Sequence, residues 1–195
     1  MRGVFAIDCD AVMTKAEDVE GTIVAKTIWT IGHSTRSLDD LIALLNSFDI
    51  ELLADIRSFP GSRRYPHFNK EALSISLPDA GINYIHLPGL GGRQRTHPDS
   101  KNIAWRNPAF RGYADYMGTD SFKDALLELE SLALAKSTAF MCSEAVWWRC
   151  HRSMVSDALK KNGWTVMHIM GIGKATEHPF TAPARESQGE LFKGE

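Results

Sequence analysis

Five short apolar runs, each stopping at a polar or charged residue, leave this chain very few architectures. They are Thr27–Ile31, Ile50–Ile56, Ile82–Leu87, Thr138–Met141 and Thr165–Ile169. Runs this apolar suit strands buried on both faces, which is the condition of a parallel sheet covered by helices. The segments between them supply those helices. Leu38, Leu41, Ile42, Leu45 and Phe48 recur at helical spacing behind Ser37, a good N-cap. Phe122, Ala125, Leu126, Leu129, Leu132 and Ala133 repeat the pattern, with Ser121 the expected cap. A shorter helix is expected up to Ala80, and another from Met154 through Leu159, ended by Gly163. The alternation predicts an α/β three-layer sandwich with a mostly parallel, doubly wound, Rossmann-like sheet of about five strands. A barrel of eight such units needs roughly 250 residues, more than the 195 present.

Length and a hydrophobic content of 44% allow one sizeable core. A single domain is expected over residues 27–170. Residues 1–26 read as a leader or an edge strand, and 171–195 as a polar C-terminal tail. A net charge of −2 supplies no global field toward nucleic acid or membrane. No run reaches the roughly 18 apolar residues of a membrane helix, and no secretory signal opens the chain, so a cytoplasmic protein is expected. Three cysteines, Cys9, Cys142 and Cys150, are too few and too irregularly spaced for a disulfide framework. Oligomeric state is not legible.

In a parallel sheet the polar ends of the strands emerge on one edge, where helix N-termini favour anions. His33 and Ser34, Asp55 and Arg57, His86, and Cys142 with Glu144 all occupy such ends. Nine of the twelve arginines fall in loops between 57 and 152, among them Arg57, Arg63, Arg64, Arg93, Arg149 and Arg152. Their planar forks suit phosphate or carboxylate. The competing reading is a solvated surface paired with nearby carboxylates. The catalytic candidates are His33, Asp55 and Glu144 for proton transfer and Cys142 as nucleophile or, equally, as a buried small hydrophobe. Six residues separate Cys142 from Arg149, one more than in the cysteine phosphatases. Cys142, Cys150 and His151 suggest a metal set that His33 or His86 would complete, but no paired-ligand spacing accompanies them and no metal is assigned. No cofactor is indicated. Trp105, Trp147, Trp148, Tyr65 and Tyr113 lie among the arginines, as aromatics do where bases stack.

Four groups of residues carry a resemblance. They are Thr30-Ile31-Gly32-His33-Ser34, Asp55-Ile56-Arg57-Ser58-Phe59-Pro60, Tyr84-Ile85-His86-Leu87-Pro88 with Leu90-Gly91-Gly92, and Met141-Cys142-Ser143-Glu144 with Cys150-His151-Arg152. In this order they resemble the bacterial and archaeal family known as domain of unknown function 488, over roughly Thr27 to Ile169. Ser143 stands where the family commonly has Ala, and Trp147 and Trp148 where Pro is often found. The resemblance implies an α/β sandwich whose functional surface is these motifs, and a loose association with nucleotides or nucleic acid. Ligand contacts are then expected from Ser34, Arg57, Ser58, Arg63, His86, Gly91, Gly92, Arg149, Cys150, His151 and Arg152. The leading expectation is an enzyme acting on a phosphate-bearing ligand, a nucleotide or nucleic-acid fragment. The alternative is a non-catalytic nucleic-acid-binding module using the same arginines and aromatics.

Overall fold

The computed structural model describes residues 26–186. The readings made for residues 1–25, Cys9 among them, lie outside it. Six strands form one sheet: β1 (Thr27–Gly32), β2 (Leu52–Asp55), β3 (Asn83–His86), β4 (Thr138–Cys142), β5 (Thr165–Gly171) and β6 (Lys174–Glu177), in the order β3-β2-β4-β1-β5-β6. All pairings are parallel except that of β6 with β5. The sixth strand and a short closing helix, α6 (Ala182–Glu186), lie in the segment expected to be a polar tail. β6 is an edge strand of mostly exposed residues. Its pairing is carried by the backbone, so it leaves no apolar periodicity to read.

Helices α1 (Leu38–Asn46) and α2 (Lys70–Asp79) cover one face of the sheet. There Leu41, Leu45, Leu73 and Leu77 pack with Ile31, Leu53, Ala139 and Met141. Helices α3 (Pro108–Met117), α4 (Asp120–Ala135) and α5 (Arg152–Lys161) cover the other. Tyr113, Phe122, Leu129, Val155 and Leu159 meet Ala54, Phe140 and Val166 there. Full burial of a side chain such as Leu129 stabilises the fold by about 2 kcal/mol.

Local chemistry sets the helix ends. Ser37 caps α1 in a capping box with Asp40. Thr119 rather than Ser121 caps α4, because the helix already begins at Asp120. Beyond α5, Gly163 takes φ 85°, a left-handed conformation that glycine adopts without steric cost.

The strand order places the site. β1 continues into α1 on one face and its neighbour β4 continues into α5 on the other, so the chain diverges at the carboxyl ends of β1 and β4. That crevice is the topological switch point at which open α/β sheets take ligands. The backbone pins it shut at its root: His33 N–H donates to the Cys142 carbonyl and Ser34 N–H to the Ser143 carbonyl, each at 3.0 Å. A Cβ on Gly32 would lie 1.8 Å from the Glu144 carbonyl oxygen, so only glycine permits this approach. No described helix is long and apolar enough to cross a membrane.

Candidate active site

The registers Gly32 with Cys142, Asp55 with Met141 and Asp55 with His86 align the four polar strand ends on one edge. Above the edge opens a cavity of about 760 Å³, walled by loops from every side of the switch point. Sequence-expected residues that line it are His33, Ser34, Arg57, Ser58, Gly92, Cys142, Glu144, Arg149, Cys150 and His151. Asp55, Arg63, His86, Gly91 and Arg152 are not among its walls. Ser34 sits at φ 52°, an unusual conformation for a residue with a side chain.

Asp55 is fully buried and its carboxylate is saturated. It accepts from the backbone N–H of Arg57, from Arg57 Nε at 2.8 Å and Nη2 at 2.5 Å, and from the Tyr84 hydroxyl at 2.8 Å. Burial and then the Asp55 charge push the Tyr84 phenol well above its ordinary range. Arg57 spends its remaining reach inside the protein, donating to the Phe68 carbonyl at 2.7 Å and meeting His33 Nε2 at 3.2 Å. His33 Nδ1 lies 2.9 Å from the Ser34 carbonyl, which can only accept. The proton is therefore on Nδ1, and Nε2 offers its lone pair to the guanidinium. Burial, and next the Arg57 charge, lower the His33 pKa to about 4. Neutral and engaged at both nitrogens, His33 braces the cavity wall. His86 Nε2 likewise donates to the Arg57 carbonyl at 2.8 Å. These residues form one hydrogen-bonded network, of which His33 and Arg57 line the cavity and Asp55 does not.

At the cavity floor lie Cys142 and Cys150, both buried, with His151 between floor and wall. Cys150 and His151 precede α5 rather than lying within it, and this turn brings Cys150 Sγ to 3.4 Å from His151 Nδ1. His151 Nε2 is 3.1 Å from the Ile56 carbonyl, so Nε2 carries the proton and Nδ1 turns a free lone pair to the sulfur. A Cβ on Gly92 would approach the His151 ring to 2.4 Å, so the glycine is needed to seat the imidazole. Arg152 is 2% exposed and forms no ion pair with a carboxylate among the described residues. Its Nε donates to Cys142 Sγ at 3.0 Å, Nη1 to Thr30 Oγ1 at 3.3 Å and Nη2 to the Glu144 carbonyl at 2.6 Å.

A buried guanidinium needs a counter-charge, and the two thiols are the groups placed to supply it. Burial opposes ionisation of Cys150, but the Cys142 thiol hydrogen bond and the Arg152 charge outweigh it and bring the pKa down to about 7. Cys142, by burial and then by its bond to Cys150, is pushed well above the ordinary thiol value. Cys142 thus remains a thiol whose sulfur accepts from Arg152 Nε. Cys142, in sequence either a nucleophile or a small buried hydrophobe, has no imidazole bonded to it among the described residues, whereas Cys150 has His151 beside it. The donor atoms of Cys142, Cys150 and His151 lie within 4.8 Å of one another and are the described set that a metal ion would use. Neither His33 nor His86 belongs to that set.

The arginines divide sharply. Arg57 and Arg152 are buried and bonded within the protein, whereas Arg64, Arg93 and Arg149 stand exposed around the cavity. Arg93 lies over the Phe59 ring and Arg64 over the Tyr65 ring, at 5.5 and 5.4 Å from their centroids. Phe59, 72% exposed, is a wall residue absent from the expected ligand contacts, although it stands in the motif Asp55 to Pro60. Trp148 is exposed, but Trp147 is stacked on His168 at 4.4 Å with planes 2° apart. A buried chain runs behind it: Asp157 accepts from His178 Nε2 at 3.0 Å, and His178 Nδ1 accepts from His168 Nε2 at 2.9 Å. His168 Nδ1 then carries a lone pair with no partner among the described residues. Widely spaced histidines on a strand and in a polar segment carry no sequence signal of such a chain.

The model of the family described as domain of unknown function DUF488 matches residues 37–159, well over half of the chain. The chain belongs to that family. The DUF488 segment runs from the start of α1 into α5 and includes Asp55, Arg57, Cys142, Cys150, His151 and Arg152. His33 and the Asp157–His178–His168 chain join it from outside, except for Asp157 itself, which lies within the matched residues. No curated protein and no solved structure matches.

Proposed function

We propose that the protein is an enzyme acting on a phosphate-bearing ligand, a nucleotide or nucleic-acid fragment, with Cys150 as its nucleophile. The observation that carries this reading is the 3.4 Å contact of Cys150 Sγ with His151 Nδ1 at the floor of a cavity edged by Arg64, Arg93 and Arg149. A nucleophile, a base in contact with it and a third group orienting the base make the arrangement of covalent catalysis. Here the orienting group is the Ile56 carbonyl. The three arginines hold the anion as charge-assisted forks, and Tyr65 and Phe59 offer ring faces to a base.

In the reaction, Cys150 loses its proton to His151 and its sulfur bonds to the phosphoryl centre. The bond to the leaving oxygen breaks, and His151 returns the proton to that oxygen. Water then cleaves the sulfur–phosphorus bond and restores the thiol. Glu144, exposed on the wall, is placed to take the proton of that water. The test is turnover of nucleoside phosphates and short oligonucleotides by the native chain and by Cys150→Ser. Loss of about a hundredfold or more in rate is expected for a removed nucleophile. A Cys150→Ser protein with native turnover overturns the assignment.

A further inference from the structure

We propose that Cys142 and Cys150 are a peroxide-reducing dithiol, which converts a hydroperoxide to an alcohol or water and closes a disulfide between strand β4 and the turn before α5. The inference rests on the reading of Cys150 as the reactive thiol of the cavity. Three features of the structure support it. The sulfurs are within 4.8 Å of each other. Both line an open cavity, so a small hydroperoxide has access. And the two thiols are placed unequally, since His151 Nδ1 lies 3.4 Å from the Cys150 sulfur whereas Arg152 Nε donates to the Cys142 sulfur at 3.0 Å.

The steps balance. The Cys150 thiolate attacks the distal peroxide oxygen, the O–O bond breaks, and the departing alkoxide or hydroxide takes a proton; Cys150 becomes a sulfenic acid. Cys142 sulfur then attacks the Cys150 sulfur, its S–H proton and the sulfenic hydroxyl leave as water, and the S–S bond forms. The hydroperoxide is reduced by two electrons and the thiol pair oxidised by two. A divalent metal at the same donors is disfavoured by charge, since it would sit beside the Arg152 guanidinium, which no carboxylate neutralises among the described residues.

The experiment uses the full chain carrying Cys9→Ser, treated with equimolar hydrogen peroxide and followed by intact mass, thiol counting and peptide mapping. The expected result is the loss of two hydrogens and of both thiols, with a Cys142–Cys150 cross-linked peptide that dithiothreitol reverses. In Cys142→Ser the expected product is a Cys150 sulfenic acid trapped by dimedone. In Cys150→Ser, which leaves Cys142 without its reactive partner, thiol loss slows by about tenfold or more. Thiols that persist in the native chain, over-oxidation without a cross-link, or stoichiometric zinc on the isolated protein each overturn the proposal. Calorimetric titration of the reduced chain with a nucleoside phosphate is run alongside. Cross-linking without ligand binding leaves the dithiol standing and removes the phosphate enzyme; binding and turnover with inert thiols does the reverse.

Discussion

Arg152 donates from Nε to the sulfur of Cys142 across 3.0 Å, and its guanidinium is buried. With Thr30 and the Glu144 carbonyl as its other main partners, this arginine joins β1, β4 and the reactive loop in one contact set. Its charge lies beside the two sulfurs and favours ionisation of Cys150.

Alkylation of Cys150 by iodoacetamide is expected to follow a single ionisation centred at about 7. Arg152→Met removes the cation and should move that midpoint upward, by about one to two pH units for a charge in contact. Rates measured from pH 5 to 10 on a Cys9→Ser background decide it, and an unmoved midpoint would deny Arg152 its electrostatic role.

Gly92→Ala places a methyl against the His151 imidazole, 2.4 Å from Nδ1. The ring must turn, so Cys150 loses its base while its own side chain is untouched. Stability should fall by about 1–3 kcal/mol, as for overpacking elsewhere. Alkylation at neutral pH should slow more than the stability loss alone explains. Urea melts beside alkylation rates separate the two effects.

Asp55→Asn leaves Arg57 buried with its counter-charge removed. Breaking a buried pair costs about 3–5 kcal/mol, and the side chains here are 0% and 8% exposed. Because Arg57 also braces His33, the cavity wall should loosen with it. Chemical denaturation gives the energy, and a loss below about 1 kcal/mol would show the pair to be solvated instead.

Acid should destabilise the protein through His33. Its folded pKa, about 4, lies below the ordinary 6.5, so the unfolded chain binds more protons between those values. Stability is then full above pH 6.5 and falls as pH drops toward 4, by about 3 kcal/mol from this group. His168, lowered by burial and by His178 to about 2, acts in the same direction to still lower pH. Urea midpoints taken between pH 7 and 4 should slope less in His33→Gln. An equal slope would place the sensitivity elsewhere.

Arg64, Arg93 and Arg149 should each contribute to holding a phosphate-bearing ligand. Replacement by Ala is expected to weaken binding about tenfold apiece, the value of one charge-assisted hydrogen bond. Arg63, outside the cavity wall, serves as the control. For single-stranded nucleic acid, affinity falling steeply with salt would mark contacts to many phosphates. A flat response would exclude the binding-module reading.

Much of this protein is local and therefore written in one dimension. The apolar runs and the spacing of Leu38, Leu41 and Leu45 dictate buried strands and a covering helix, because burial periodicity is a property of neighbouring residues. Parallel pairing then follows, and with it the gathering of His33, Asp55, His86 and Cys142 on one edge. Three things were decided by the tertiary structure. β4 inserts between β2 and β1, which makes the crevice beside Cys142 the switch point. Asp55 and the Phe68 carbonyl engage Arg57 within the protein, although in sequence Asp55 and Arg57 read as free site residues. And the turn before α5 brings His151 Nδ1 to the sulfur of Cys150 rather than to that of Cys142, the contact on which the proposed role of Cys150 rests. Each depends on which polar atoms meet after folding. Sequence states which groups are available; protonation and reactivity follow from burial and from partners that lie far apart along the chain, as Thr30 does from Arg152.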